Sequence, residues 1–134
     1  MAITETKRCL ERRLMALTPS LPTSFEGASF EPPLTMYQSC QLSIRNPDDP
    51  VLGTGFYRER IQFQVFVVDA PNNGTAAAIQ RAELIREWFK KGSTFQEGAY
   101  RIHILNTPKV ASTGAIGNRT VVPVMIDAVT EVYS

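Results

Sequence analysis

The sequence contains only one histidine and two cysteines among its 134 residues, and its net charge is +1. Cys9 and Cys40 are too few and too far apart for a zinc site or a disulfide framework. We interpret them as reduced, partly buried thiols, and a disulfide between them remains the open alternative. A net charge so near zero provides no overall field for holding DNA or RNA, so the composition gives no support to a nucleic-acid-binding protein.

Long apolar runs are also missing from the sequence. No stretch approaches the ~18–20 apolar residues that a membrane helix needs. Charged residues interrupt the N-terminal segment, where a secretory signal would need an apolar core. Hydrophobic residues form 43% of the chain and charged residues 20%, both close to globular averages. We therefore expect a globular protein without a membrane span, most simply a single domain over 1–134.

Motifs for catalysis are scarce as well. His103, the single histidine, is predicted to be half-exposed on a strand, with no sequence motif that supplies a nucleophile or an orienting partner. Asp127 stands in the middle of the last predicted strand, where an interface or edge charge is the ordinary interpretation. We predict that the chain is not an enzyme and holds no cofactor and no metal. A small enzyme using His103 or Asp127 is the alternative, and it requires that His103→Ala abolish function.

The first predicted element is an N-terminal helix over 1–18. Leu10 and Leu14 recur at helical spacing, and Thr4 is the expected N-cap. Pro19 ends this helix, because the residue before a proline is disfavoured in the α region.

A proline-rich connector and a long hairpin are predicted next. The connector, 19–34, contains four of the nine prolines and includes a short possible strand within 25–30. Residues 35–68 then form an antiparallel hairpin around a turn at 47–55 that is rich in proline and acid. Both faces become apolar near Val68, so we expect this end of the hairpin to be covered on both sides.

A central helix is predicted over 75–91. Thr75 is the expected N-cap, and Gly92 suits the left-handed position after the last turn. The apolar stripe that should pack on the sheet consists of Ala78, Ala82, Ile85 and Phe89, widened by Leu84 and Trp88.

Two further strands, at 99–105 and 119–133, are predicted with a flexible loop, 106–118, between them. The last strand is long enough to extend past its own sheet, and Pro123 should mark its start, an edge or a bulge. The fold class is therefore α/β (α+β). It has a mixed, mainly antiparallel sheet of about four to five strands with a long hairpin, packed by the central helix and the N-terminal helix.

The order of these elements resembles the tail terminator (tail completion) proteins of long-tailed bacteriophages, including related small phage proteins of unknown function. In that family a helix ends in a phenylalanine and a glycine, as in Trp88-Phe89-Lys90-Lys91-Gly92, and a late strand has an Ile/Val-Pro-Val core, as in Val122-Pro123-Val124. The resemblance extends over nearly the whole chain. Each motif is short, and the acid-rich turn at 47–55 departs from the family pattern.

The resemblance implies a structural virion protein of the tail–neck region, made in the cytoplasm of the bacterial host. Such a protein would form a ring, expected to be a hexamer, that caps the tail tube and provides a surface for head joining. Its partners would be its own copies, the major tail tube protein and a head-completion or neck protein. It would need no membrane and no specific nucleic acid, although DNA would pass through the ring. The family supplies no catalytic residues.

We place the subunit or tube interface on the long strands and on the loop between them. A ring uses heterologous, head-to-tail contacts, and a flexible loop is able to become ordered on assembly. The alternative is a small α/β binding module, or another neck or connector protein, that works as a monomer or dimer. The candidate interface residues are Arg58, Arg60, Lys109, Val110, Ile116, Arg119 and Asp127.

Overall fold

The computed structural model describes residues 2–47 and 55–133. The predicted turn at 47–55 therefore lies almost wholly outside the described residues. The elements in chain order are α1 (Ala2–Met15), β1 (Thr23–Phe25), β2 (Tyr37–Ile44), β3 (Phe56–Val68), α2 (Ala76–Trp88), β4 (Thr94–Glu97), β5 (Tyr100–Ile104), β6 (Lys109–Val110), β7 (Gly114–Ile116) and β8 (Arg119–Tyr133).

The expected α+β class and the mixed, mainly antiparallel sheet are confirmed, but the sheet has eight strands instead of four or five. The main order is β1-β2-β3-β8-β5-β4, and β6 and β7 also pair with β8. Only the β1–β2 pair is parallel among the described strands. The additional strands, such as β4 and β6, have two to four residues, too few to show a period-2 pattern in the sequence.

The long strands β3 and β8 form the centre of the sheet. They pair without interruption from Phe56 opposite Tyr133 to Val68 opposite Val121. Along its other side, β8 pairs with β7, β6 and β5 in turn. The expectation that β8 extends past its own sheet is therefore wrong, because partners within the subunit occupy both of its sides.

The predicted loop at 106–118 is also corrected, because it contains β6 and β7. The backbone N–H of Ala111 donates to the Pro123 carbonyl over 2.9 Å, and that of Asp69 donates to the Thr120 carbonyl over 3.0 Å. Hydrogen-bonded and non-hydrogen-bonded pairs alternate along an antiparallel ladder, so the nitrogen of Pro123 points away from β3. The Pro123 nitrogen points instead towards the position just after the end of β6. Pro123 therefore interrupts no bond with β3, and it occupies a local edge position.

Both helices pack on one face of the sheet. On α1, Leu10 and Leu14 are fully buried, as their spacing predicted. Thr4 is not the N-cap, because the helix already begins at Ala2 and Thr4 lies within it. The Thr6 hydroxyl donates to the Ala2 carbonyl over 2.6 Å, which fixes this first turn.

The stripe predicted for α2 is confirmed, since Ala78, Ala82, Ile85 and Phe89 are all fully buried. Leu84 is 39% exposed and does not widen the stripe. The small alanines let α2 lie close to β3 and β8, so that the rings of Phe63 and Phe89 meet with centroids 6.1 Å apart.

The ends of α2 differ from the predicted caps. Thr75 occupies the N-cap position, but its side chain makes no capping hydrogen bond because its backbone is already helical, with φ −117° and ψ −21°. The helix ends at Trp88, and Phe89 is the C-cap. Gly92 has a positive φ of 86°, yet its N–H donates to the Ile104 carbonyl over 3.0 Å. Its left-handed backbone therefore serves the turn into β4.

Candidate functional site

One face of the sheet is not covered by either helix, and we call it the open face. Strand alternation creates it: Ile61, Phe63 and Val65 of β3 point to the helices and are buried, whereas their neighbours point the opposite way. The same alternation continues on β2, β5 and β8. The described residues of the open face include Gln41, Ser43, Arg45, Arg58, Arg60, Gln62, Gln64, Arg101, His103, Met125, Asp127, Val129 and Glu131.

The proline-rich connector covers one end of the open face, and Arg119 holds it there. The Arg119 guanidinium donates to the carbonyls of Asp69 (2.8 Å), Pro33 (2.7 Å) and Thr35 (2.7 Å). It also lies 4.9 Å from the ring centroid of Tyr37. The expectation of a second cover near Val68 is thus met by the connector, because Tyr37 pairs with Val68 on this face. Arg119 makes these contacts inside the subunit.

A ladder of amide side chains crosses the middle of the open face. Gln41 donates to Gln64 over 2.6 Å, and Gln64 donates to Gln62 over 2.8 Å. Gln62 in turn donates to the Asp127 carboxylate over 3.2 Å. Asp127 lies on the central strand β8, so it is not the edge charge that its sequence context suggested. These side chains satisfy one another across three strands, and they leave the face polar and uncovered.

The end of the open face opposite the connector carries a concentration of arginines. Arg45 and Arg60 lie directly across from each other, since the Arg45 N–H donates to the Arg60 carbonyl over 2.8 Å, and both are exposed. Two adjoining depressions, of about 580 and 290 Å³, share Arg60 and Leu105 as lining residues. Arg58 and Glu131 line the larger one, and they are opposite each other in the β3–β8 register.

The single histidine lines the larger depression. Thr94 Oγ1 lies 3.0 Å from His103 Nδ1, and Glu131 Oε1 lies 3.8 Å from Nε2, too far for a hydrogen bond. One ring nitrogen of His103 is therefore held by Thr94, and the other makes no hydrogen bond among the described residues. Within the described residues, no group of three or more His, Cys, Asp or Glu side chains is placed to hold a metal ion. Cys9 and Cys40 are both buried free thiols.

The other candidate interface residues lie along β6 and β7. Lys109 is exposed, and Ile116 is 62% exposed opposite Arg119. Val110 instead points to the helix side and packs against the core. The structure thus gathers Arg58, Arg60 and Asp127 at one end of the open face and places Ile116 beside Arg119 at the other end.

Several functional candidates escaped the sequence analysis. Arg81 is 6% exposed, and its guanidinium donates to the Pro19 carbonyl (2.5 Å) and to Gln38 Oε1 (3.4 Å), which fixes the start of the connector. Burial lowers the pKa of Arg81. The available signal was its position, three residues after Ala78 and four before Ile85, within the apolar stripe. Arg45 escaped because its position opposite Arg60 depends on the β2–β3 register, which the sequence does not reveal.

The exposed side of α2 carries a second charged group, opposite the buried stripe. Glu83 and Glu87 are exposed one turn apart, and Leu84 lies beside them. Neither carboxylate forms an ion pair within the part of the chain that the structure describes. The chain therefore presents two carboxylates on the exposed side of α2 and arginines on its open sheet face.

Comparisons with known proteins agree with this architecture. A family model described as phage tail terminator protein matches residues 6–127. The chain is also similar to a solved structure with a TM-score of 0.77 and 22% sequence identity, covering 100% of this chain and 99% of that one. At this identity the likeness shows the fold. No curated protein matches the chain. Among the described helices, none has the length and apolarity needed to cross a membrane.

Proposed function

The chain belongs to the phage tail terminator family, whose members are structural components of the phage tail, and we propose that it caps the tail tube as a closed ring. The same ring would form part of the interface that joins the tail to the head. The observation that carries the proposal is the family match over residues 6–127.

The geometry of the subunit supports a ring built from head-to-tail contacts. A heterologous interface joins two different surfaces of identical subunits and closes when the rotation between subunits completes a circle. The open face and the exposed side of α2 are two such surfaces, because α2 packs on the opposite face of the sheet. Their chemistry differs, with arginines on one and carboxylates on the other.

We further propose the partners and the location. Six copies of the chain would form the ring, one side of which contacts the major tail tube protein and the other a head-completion or neck protein. DNA would pass through the ring without sequence-specific contacts. The protein would act in the tail–neck region of the virion after synthesis in the host cytoplasm, as a structural part and not as an enzyme, and without a cofactor.

The proposed subunit or tube interface divides by position. Arg58, Arg60 and Asp127 would contribute from the arginine-rich end of the open face. Lys109 and Ile116 would contribute from β6 and β7. We retain Val110 and Arg119 as residues that support this surface, since Val110 packs against the core beneath it and Arg119 holds the connector on it.

Electron microscopy of the purified protein, alone and with tail tubes of the phage that encodes it, tests the proposal. We expect ring-sized particles at tube ends, and light scattering at raised concentration should show the same species. A strict monomer at every concentration, with no rings when tubes are supplied, would contradict the proposal. A dimer that does not bind tail tubes would favour the alternative of a small binding module.

The enzyme alternative is tested by His103→Ala. If the protein acts by assembly, this variant should fold normally and cap tubes as the unmodified protein does, because among the described residues His103 makes only one side-chain hydrogen bond, to Thr94. Loss of function with intact folding and intact ring formation would instead point to chemistry at His103.

A further inference from the structure

Two like-charge pairs lie on opposite sides of the subunit, and each is unfavourable on its own. Arg45 and Arg60 are directly opposed on neighbouring strands, a placement that destabilises a sheet when the charges have the same sign. Glu83 and Glu87 occupy positions i and i+4 of α2, a spacing that destabilises a helix when the charges have the same sign.

The two pairs also match in their dimensions. Cβ atoms of directly opposed residues in a sheet are about 4.5–5.5 Å apart. Those of residues four apart on a helix are about 5–6 Å apart. Two carboxylates on the exposed side of a helix can therefore meet two guanidinium groups on a sheet face in register.

Neither pair is neutralised by a described residue of its own chain. Arg45 donates to the neutral Gln62 side chain over 3.0 Å, and Arg60 makes no ion pair in the described part of the chain. Glu83 and Glu87 likewise have no cation within 4.0 Å among the described residues.

Apolar contact is available beside both charged pairs. Leu84, next to Glu83, is 39% exposed, and Leu105, which lines both depressions beside Arg60, is 38% exposed. A central apolar contact with charges around it is the usual arrangement of a protein interface.

We propose that the open face of one subunit binds the exposed side of α2 of a second copy, with Arg45 and Arg60 facing Glu83 and Glu87 of the neighbour. The inference rests on the proposed ring, and it names the surfaces that join its subunits. In this contact the helix layer of each neighbour covers the sheet face that the subunit's own helices leave uncovered. DNA fits the open face less well, because Asp127 and Glu131 lie among the arginines.

Charge reversal tests the contact from both sides. Arg45→Glu/Arg60→Glu leaves acid on both surfaces, and Glu83→Arg/Glu87→Arg leaves arginine on both. The self-association of each variant should be at least about tenfold weaker than that of the unmodified protein, because like charges then face each other across the interface. Association is measured by light scattering and by counting rings on supplied tail tubes.

Complementation identifies the occupant. An equimolar mixture of the two variants should assemble again, because each acidic sheet face then meets an arginine-bearing helix and the reverse contact also forms. The chain carrying all four substitutions should recover in the same way. The control is Arg8→Glu/Lys91→Glu, which changes two other exposed residues and alters the net charge as much as Arg45→Glu/Arg60→Glu does. It should assemble as the unmodified protein does.

The outcomes separate this contact from the ring itself. Rings of unmodified protein together with full assembly of both charge-reversal variants would overturn the contact and leave the ring standing. The contact would also be overturned if both variants lose assembly and neither their mixture nor the chain with all four substitutions recovers it. That result would indicate that DNA or the tube protein occupies the open face. Circular dichroism confirms folding, and Arg60→Gln and Glu83→Gln replace any variant that fails to fold, with weakening expected from each.

Discussion

The two faces of the central sheet are built from the same strands but differ in how they are closed. On the helix side, alternate residues of β3 and β8 are buried beneath α1 and α2, as Phe63 and Ile126 show. On the open face, the residues between them, such as Gln62 and Asp127, remain half-exposed and pair with each other. The comparison shows that one strand pattern can specify both a core and an uncovered surface. The core stabilises the fold, and the other face remains uncovered by the helices.

Truncation of a buried phenylalanine side chain on the helix side of the sheet should have the largest effect on the free energy of unfolding. Phe89 is fully buried and meets the rings of Phe63 and Phe95 at centroid distances of 6.1 and 6.3 Å. Phe89→Ala should lower the free energy of unfolding by about 3–5 kcal/mol, measured by urea denaturation. Leu84→Ala, on the exposed side of the same helix, is the control and should cost less than about 1 kcal/mol. Equal losses of unfolding free energy in Phe89→Ala and Leu84→Ala would contradict the difference between the buried and exposed sides of α2.

Loosening the connector should have the next largest effect. Arg119→Ala removes a charged donor from three carbonyls and should cost about 1.5–3 kcal/mol in unfolding free energy. Hydrogen exchange at the backbone amides of Glu31, Leu34, Thr35 and Met36 should become faster than in the unmodified protein. Arg119→Lys should restore only part of the loss, because one ammonium group cannot reproduce the planar fork of the guanidinium. Unchanged exchange would show that other contacts hold the connector.

A buried thiol on the helix side makes a prediction about pH. Burial, followed by the Glu11 carboxylate, raises the pKa of Cys40 to about 12. An unfolded chain would ionise this thiol near pH 8.5, so above that pH the unfolded state binds fewer protons than the folded state. Stability should therefore fall as pH rises from about 8.5 towards 12, by up to about 1.4 kcal/mol per pH unit from this group.

The measurement for Cys40 is the slope of unfolding free energy against pH, compared with that of Cys40→Ala. The variant should be less stable at neutral pH because it leaves a small cavity, and its stability should fall less steeply at alkaline pH. Parallel slopes would indicate that water reaches the thiol in the folded protein.

Removing one amide on the open face should have the smallest effect. Gln41→Ala deletes the outer member of the amide ladder at an exposed position, so we expect a change of less than about 0.5 kcal/mol in urea denaturation. A loss similar to that of Phe89→Ala would mean that the ladder stabilises the subunit as strongly as the core does.

Long, strongly periodic elements were predictable from the sequence. The strand at 56–68 and the stripe through Ala78 and Phe89 are found as predicted, because each has enough residues to show its period. Strands such as β6 and β7 were not predictable, since they exist by pairing with β8 and carry no period of their own.

The candidate site was predicted only in part. The alternation of β3 placed Arg58 and Arg60 on the uncovered face, as the structure shows. The contacts of Arg81 and Arg119 with distant backbone carbonyls depend on the tertiary fold, and no local pattern reveals them. The pairing of Arg45 with Arg60 likewise depends on the β2–β3 register, which the turn between these strands sets.

The edge strand β1 limits how another copy of the chain can pair with this sheet. This strand of three residues lies along β2, and the Glu26 carboxylate accepts the next exposed edge N–H, that of Leu42, over 3.2 Å. An edge occupied in this way offers little template for another strand. This edge of the sheet is therefore largely closed to backbone pairing with another copy of the chain. In the proposed ring, a contact made here would depend on side chains.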